Sequence, residues 1–127
     1  MDMQDDGRVI EDAYGAMQRG DLVAARACFA PQALVWHNFD RVDRSLDETM
    51  GDWGAMITAF PERGLEQVSR ARTDAGWFVQ QHLFVVRDSN GLRRAWPICL
   101  IVRLEGKRIV RIEEYVDRAG SFELKTD

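Results

Sequence analysis

At 127 residues the chain has material for one domain and one hydrophobic core, and its 46% apolar and 30% charged residues are typical of an ordinary soluble globular protein. Twenty-one acidic residues against seventeen basic ones leave a net charge of −4, which offers no general attraction to phosphate backbones and argues against nucleic acid as a partner. Cys28 and Cys99 form no Cys-x-x-Cys pair and no apolar run approaches the roughly 20 residues of a membrane span, which argues against a dithiol centre, a cysteine zinc site and membrane insertion.

Residues 1–7 are acidic and polar, unlike a secretory leader, and are expected to be a flexible tail; residues 8–127 are expected to form the single domain. Both thiols read as small apolar residues in a reducing cytoplasm. Ile10, Ala13, Tyr14 and Met17 stack on one face of a helix from Arg8 to Arg19, which Gly20 ends. Asp21 is placed to cap a second helix, Leu22 to Phe29, and Pro31 hands over to a strand, Ala33 to Phe39. Ser45-Leu46-Asp47-Glu48 is a capping box, and Leu46, Met50, Trp53, Ile57 and Phe60 run along one face of the third helix until Pro61 stops it. Gly51 and Gly54 within that helix suggest that something packs close to its backbone.

After Gly64 four strands follow, Leu65–Thr73, Trp77–Arg87, Arg93–Leu104 and Arg108–Asp117, separated by Gly- and Asn-containing turns of hairpin type. Three helices and an inserted strand before a four-stranded meander predict an α+β domain whose curved antiparallel sheet packs against its helices.

Within the first strand, "ALVWHNF" (33–39) puts His37 on the face of Val35 and Asn38 on the face of Trp36, and only one of these sets can look into a given pocket. His82 shares a face with Phe78, Gln80, Phe84 and Val86, and Glu114 alternates with Ile112 and Val116. A carboxylate in such apolar surroundings has its pKa raised, and a nearby imidazole could share its proton. No His-x-x-x-His or comparable spacing is present, so neither a metal nor another cofactor is expected.

The element order, with "AMQRGDLVAARACFAP" (Ala16–Pro31), "VWHN" (Val35–Asn38) and "GKRIVRIEEYVD" (Gly106–Asp117), resembles the SnoaL-like branch of the nuclear transport factor 2-like superfamily over nearly the whole chain, Arg8 to Asp117. That resemblance implies a cone-shaped, cystatin-like α+β barrel, in which a curved sheet wraps the three N-terminal helices around an apolar pocket, and commonly a homodimer. The base position of steroid isomerases falls on His37, but their tyrosine position falls on Ala13, beside Tyr14, and their acid position on Cys99 or Leu100. Against limonene epoxide hydrolases one aspartate position becomes Glu114, the arginine His82 and the other aspartate Phe84; the asparagine position falls on His37 or Asn38.

The residues together nominate His37, Glu114 and His82 for catalysis, and Tyr14, Trp36, Asn38, Trp53, Phe84 and Trp96 for contact with substrate. The function they suggest is a cofactor-independent isomerase, hydrolase or cyclase acting on an apolar or aromatic molecule of polyketide, steroid or terpenoid type. The alternative is a ligand-binding or dimerising domain without chemistry, pairing through a sheet face that carries Arg70, Arg72, Arg103, Arg111 and Glu113.

Overall fold

The stripe of Ile10, Ala13, Tyr14 and Met17 is buried along one side of α1 (Arg8–Arg19), in a computed structural model that describes residues 7–125. Gly7 caps this helix with φ 78°, and a side chain there would meet Arg70 and Phe78 at 3.1 Å. Gly7 is therefore a buried part of the domain rather than of a tail; residues 1–6 lie outside the described residues. Asp21 caps α2 (Leu22–Ala27) by accepting the Ala24 N–H at 3.0 Å.

That helix stops short of Phe29, because Phe29 already pairs with Ile109 as the first residue of β1 (Phe29–His37). Pro31, which has no N–H to give a ladder, sits where the β1 register shifts between Phe29 and Leu34. The strand thus begins at Phe29 rather than Ala33.

A short strand, β2 (Asp43–Ser45), leads into α3 (Leu46–Ala59), whose capping box is complete: Ser45 Oγ accepts the Glu48 N–H at 3.1 Å and Glu48 Oε1 accepts the Ser45 N–H at 2.9 Å. Gly54 lies against Leu22, whose Cδ1 would be 3.4 Å from an added Cβ, whereas Gly51 has nothing within 4 Å. With helical backbone and open space, Gly51→Ala is expected to raise stability by roughly 0.5–1 kcal/mol, measured as a higher urea midpoint at unchanged slope.

The remaining strands are β3 (Arg63–Arg72), β4 (Phe78–Arg87), β5 (Arg93–Glu105), β6 (Arg108–Val116) and the short β7 (Phe122–Glu123). The order across the sheet is β2-β1-β6-β5-β4-β3, with β7 paired to β5 beyond the end of β6. The sheet curls without closing into a barrel. Nor is it wholly antiparallel, since β1 runs parallel to β6. Tight turns oblige β3 to β6 to alternate in direction, but β1 reaches its neighbour from the helical half of the chain and no turn constrains it.

A bulge in β3, where Gln67 has φ 56°, shifts the β3–β4 register between Glu66 and Ser69. The extra residue reverses which side chains face inward beyond it. Arg70 and Arg72, expected on the outer face, are instead turned to the concave side: Arg70 donates to Gln80 Oε1 at 3.0 Å and Arg72 lies over the Phe78 ring at 5.9 Å. Arg63 binds the ends of two helices to the sheet, donating to the Met17 and Gln18 carbonyls of α1 and to the Phe60 carbonyl after α3.

The concave face is layered in rows that the register defines. Phe78, Val102, Ile112 and Val35 pair across β4, β5, β6 and β1, and all are at most 3% exposed, so this row is solid core. The next row is Gln80, Leu100, Glu114 and His37, and the one beyond it His82, Ile98 and Val116. Among the described residues no helix is long and apolar enough to cross a membrane.

Candidate active site

Where the core row ends a cavity of about 420 Å³ opens between α1, α3 and the concave sheet. Its size is that of a site for a small organic molecule. His37, His82 and Glu114 all border it, as do Tyr14, Trp53, Phe84 and Trp96. Trp36 and Asn38 do not, and their expected place in the pocket is corrected. The pairing of His37 with Glu114 turns Val35 and His37 inward, so Trp36 packs outside against Tyr115 at 5.4 Å between ring centroids. Asn38 instead fastens the ends of β1 and β6: its Oδ1 accepts the Val116 N–H at 2.9 Å and its own N–H reaches the Glu114 carbonyl at 3.0 Å.

His37 and Glu114 face each other with Nε2 and Oε2 3.5 Å apart, and their side chains are only 16% and 20% exposed. Burial pushes the Glu114 carboxyl up to about 7. Burial also lowers His37, against the opposing pull of Asp40 and Asp52, and Arg44 and Arg118 lower it further. Both shifts bring the carboxyl and the imidazole together in proton affinity, so the pair can share one proton near neutral pH. His37 Nδ1 is buried and has no hydrogen-bond partner among the described residues. Tyr14, packed against Trp53 and His82 at centroid distances of 5.2 and 6.0 Å, stays a neutral phenol, because burial, and after it the Glu114 charge, raises its pKa well above the ordinary value.

The tautomer of His82 follows from its neighbours. A guanidinium only donates, so the Arg70 bond obliges Gln80 to accept through Oε1, and its amide nitrogen is left to donate to His82 Nδ1 at 3.1 Å. Burial lowers the His82 pKa to about 4, so the ring is neutral at pH 7 and carries its one proton on Nε2. The result is a fixed N–H donor in a wall that also carries the His37–Glu114 pair. Gln80 was legible only as a face-mate of His82, and its role depends on Arg70 turning inward past the β3 bulge.

Other lining residues escaped the sequence reading. Phe39, two residues beyond His37, stacks on it at 4.9 Å, and Phe60 meets Phe84 and Trp96 at 6.3 Å each. Phe39 could have been found from its strand face; Met56, Ile98 and Arg118 carried no such signal. Among the described residues no three His, Cys, Asp or Glu side chains come together as metal ligands would.

Neither a family model nor a curated protein matches the sequence. Solved structures do. IdmH of Streptomyces antibioticus, a candidate polyketide cyclase, superposes with a TM-score of 0.81 at 18% identity, over 91% of this chain and 94% of that one. A nuclear transport factor 2-like protein of unknown function from Burkholderia pseudomallei gives 0.74 at 21% identity, over 92% and 94%. The chain shares the fold of these two proteins. A candidate polyketide cyclase from Pseudomonas putida, at 0.72 and 14% identity over 87% and 90%, is also similar to this chain. At these identities the likeness concerns the fold, and the chemistry has to be argued from the cavity itself.

Proposed function

We propose that this SnoaL-like protein binds an apolar, aromatic small molecule in its cone and catalyses cofactor-independent proton transfer at carbon, leading to ring closure. The observation that carries this reading is the meeting of a carboxyl titrating at about 7, an imidazole 3.5 Å from it and a neutral histidine N–H donor in one apolar cavity. A general acid/base near neutrality is matched to its task, and such a group contributes ~10²–10⁴ in rate.

Ionised Glu114 takes the proton from a carbon next to a ligand carbonyl, and the electron pair moves onto the carbonyl oxygen, where the Nε2–H of His82 stabilises the enolate. The enolate carbon attacks a second carbonyl of the same molecule and forms the ring bond. The alkoxide so made recovers the proton from Glu114, so no proton or electron is gained or lost overall. His37 Nε2 is a second seat for that proton while the ring forms. Reprotonation without attack would be an isomerisation by the same groups. The likeness to IdmH, a candidate polyketide cyclase, favours the ring-closing outcome.

The second reading is a ligand-binding or dimerising module without chemistry. It draws on the outer sheet face, where Trp36 and Tyr115 pack with tilted rings and Pro97, Cys99 and Ile101 lie alongside, partly or fully exposed, as a patch suited to a second copy of the chain. Proton exchange separates the two. Incubated in D₂O with 2-tetralone, a simple aromatic ketone, the protein is expected to accelerate loss of the α C–H signal in NMR spectra, and filling the cavity with Ile98→Trp is expected to remove the acceleration. An exchange rate equal to that of buffer would leave the non-catalytic reading.

A further inference from the structure

We propose that the ligand carries an oxyanion, of carboxylate type, at the end of its aromatic body that reaches the pocket mouth, and that Arg118 receives it. This rests on the reading of the cavity as an aromatic-ligand site and adds the ligand's charge and orientation. Arg118 borders the cavity from the turn that follows β6, two residues beyond Val116. Glu114 stands on the sheet floor within β6 and Arg118 in the turn after that strand, so the two groups meet a ligand at different levels of the cavity.

An exposed arginine is ordinarily a solvated surface group, but this one is held in place. Its carbonyl accepts the Trp96 indole N–H at 3.0 Å, and Asp117 folds the turn by accepting the Ala119 N–H on its side chain and the Gly120 N–H on its carbonyl. Its guanidinium carbon lies over Phe39, 3.9 Å from the ring centroid, and Phe39 stacks on His37. A cation–π contact of this kind fixes the group and leaves its N–H edge free to donate.

No carboxylate among the described residues forms an ion pair with Arg118. Of the nearby carboxylates, Asp52 lines the cavity and is gripped through both oxygens by Arg44 at 2.6 and 3.1 Å, while Asp40 accepts the Val42 N–H at 3.1 Å. An apolar cavity with a carboxyl deep in its wall and one oriented, unpaired cation at its rim selects an aromatic molecule with an anionic end. It also sets the direction in which that molecule enters, reactive carbonyls first.

Two dyes with one frame test this: 8-anilinonaphthalene-1-sulfonate and its neutral counterpart N-phenyl-1-naphthylamine. The wild-type protein is expected to bind the sulfonate more tightly. Arg118→Gln should weaken the sulfonate about tenfold, as expected for a charge-assisted contact at a partly exposed site, and leave the neutral dye within about twofold. Arg118→Lys should restore part of the difference, and added salt should shrink it. Equal weakening of both dyes would mean that Arg118 only supports Phe39, and no change in either would mean that it receives nothing; both results overturn the proposal while leaving the pocket reading intact. If the neutral dye shows no saturable site that Ile98→Trp or Met56→Trp blocks, the pocket reading fails and this inference fails with it.

Discussion

Replacing Glu114 with glutamine is expected to abolish proton-transfer turnover and, at alkaline pH, to make the protein more stable than the wild type. The loss of turnover follows from removing the acid/base and amounts to at least ~10²-fold in the exchange rate. The gain in stability follows from the position of the same carboxyl. Its pKa lies at about 7 in the fold instead of 4.5, because burial penalises the charged form. Between those two values the native state holds a proton that the unfolded chain has released, so stability falls as pH rises through this window and stays low above it. A difference of this size costs on the order of 3 kcal/mol at pH 8. Glutamine never ionises, so the variant should exceed the wild type by about that amount at pH 8 and match it near pH 4.

His82 has the opposite linkage. With its pKa lowered from 6.5 to about 4, it contributes stability that is present above the ordinary value and lost as pH falls toward the native one. In the wild type the two slopes oppose each other between roughly 4.5 and 6.5. In Glu114→Gln the His82 slope is left alone, and stability should decline visibly on acidification below 6.5. Urea midpoints taken across pH 4–9 would decide the matter, and parallel curves for the two proteins would mean that Glu114 is not held in its neutral form.

What the sequence made legible was what is local. The capping box at Ser45, the stripe on α1 and the turns between the later strands each depend on neighbours a few residues apart, and each forms where its spacing indicates. The inward face of β6 was likewise readable, because alternation admits only two phases and Ile112 and Val116 oppose the charged Arg111 and Glu113. Alternation could not choose between His37 and Trp36, since Val35 and Trp36 are both apolar. That choice depends on pairing with Glu114, far along the chain and in a parallel sense that no turn announces. The β3 bulge is the sharper case. One added residue at Gln67 turns Arg70 inward, and with it comes the chain Arg70, Gln80, His82 that sets a tautomer in the cavity. A bulge has no residue signature strong enough to be read in advance, so an arginine that alternation assigns to the outer face becomes part of the site.

That chain can be reversed by one substitution. Gln80→Glu places a carboxylate between Arg70 and His82, able to accept from both. The neutral His82 would then hold its proton on Nδ1, bonded to the new carboxylate, and present a bare Nε2 to the cavity. The adjacent negative charge would also raise the pKa of the ring from its value of about 4. Loss of a preorganised donor to a developing oxyanion costs ~10²–10³ in kcat, so the exchange rate at pH 8 should drop by that factor with little change in KM. Imidazole ¹⁵N shifts report the tautomer directly and should move the proton from Nε2 in the wild type to Nδ1 in the variant. Gln80→Met, which offers Nδ1 no partner, should give a mixture of tautomers and an intermediate rate. A variant with the proton moved to Nδ1 and an unchanged rate would remove His82 from the oxyanion role and leave the carbonyl to be polarised by Tyr14, the remaining hydroxyl donor against that ring.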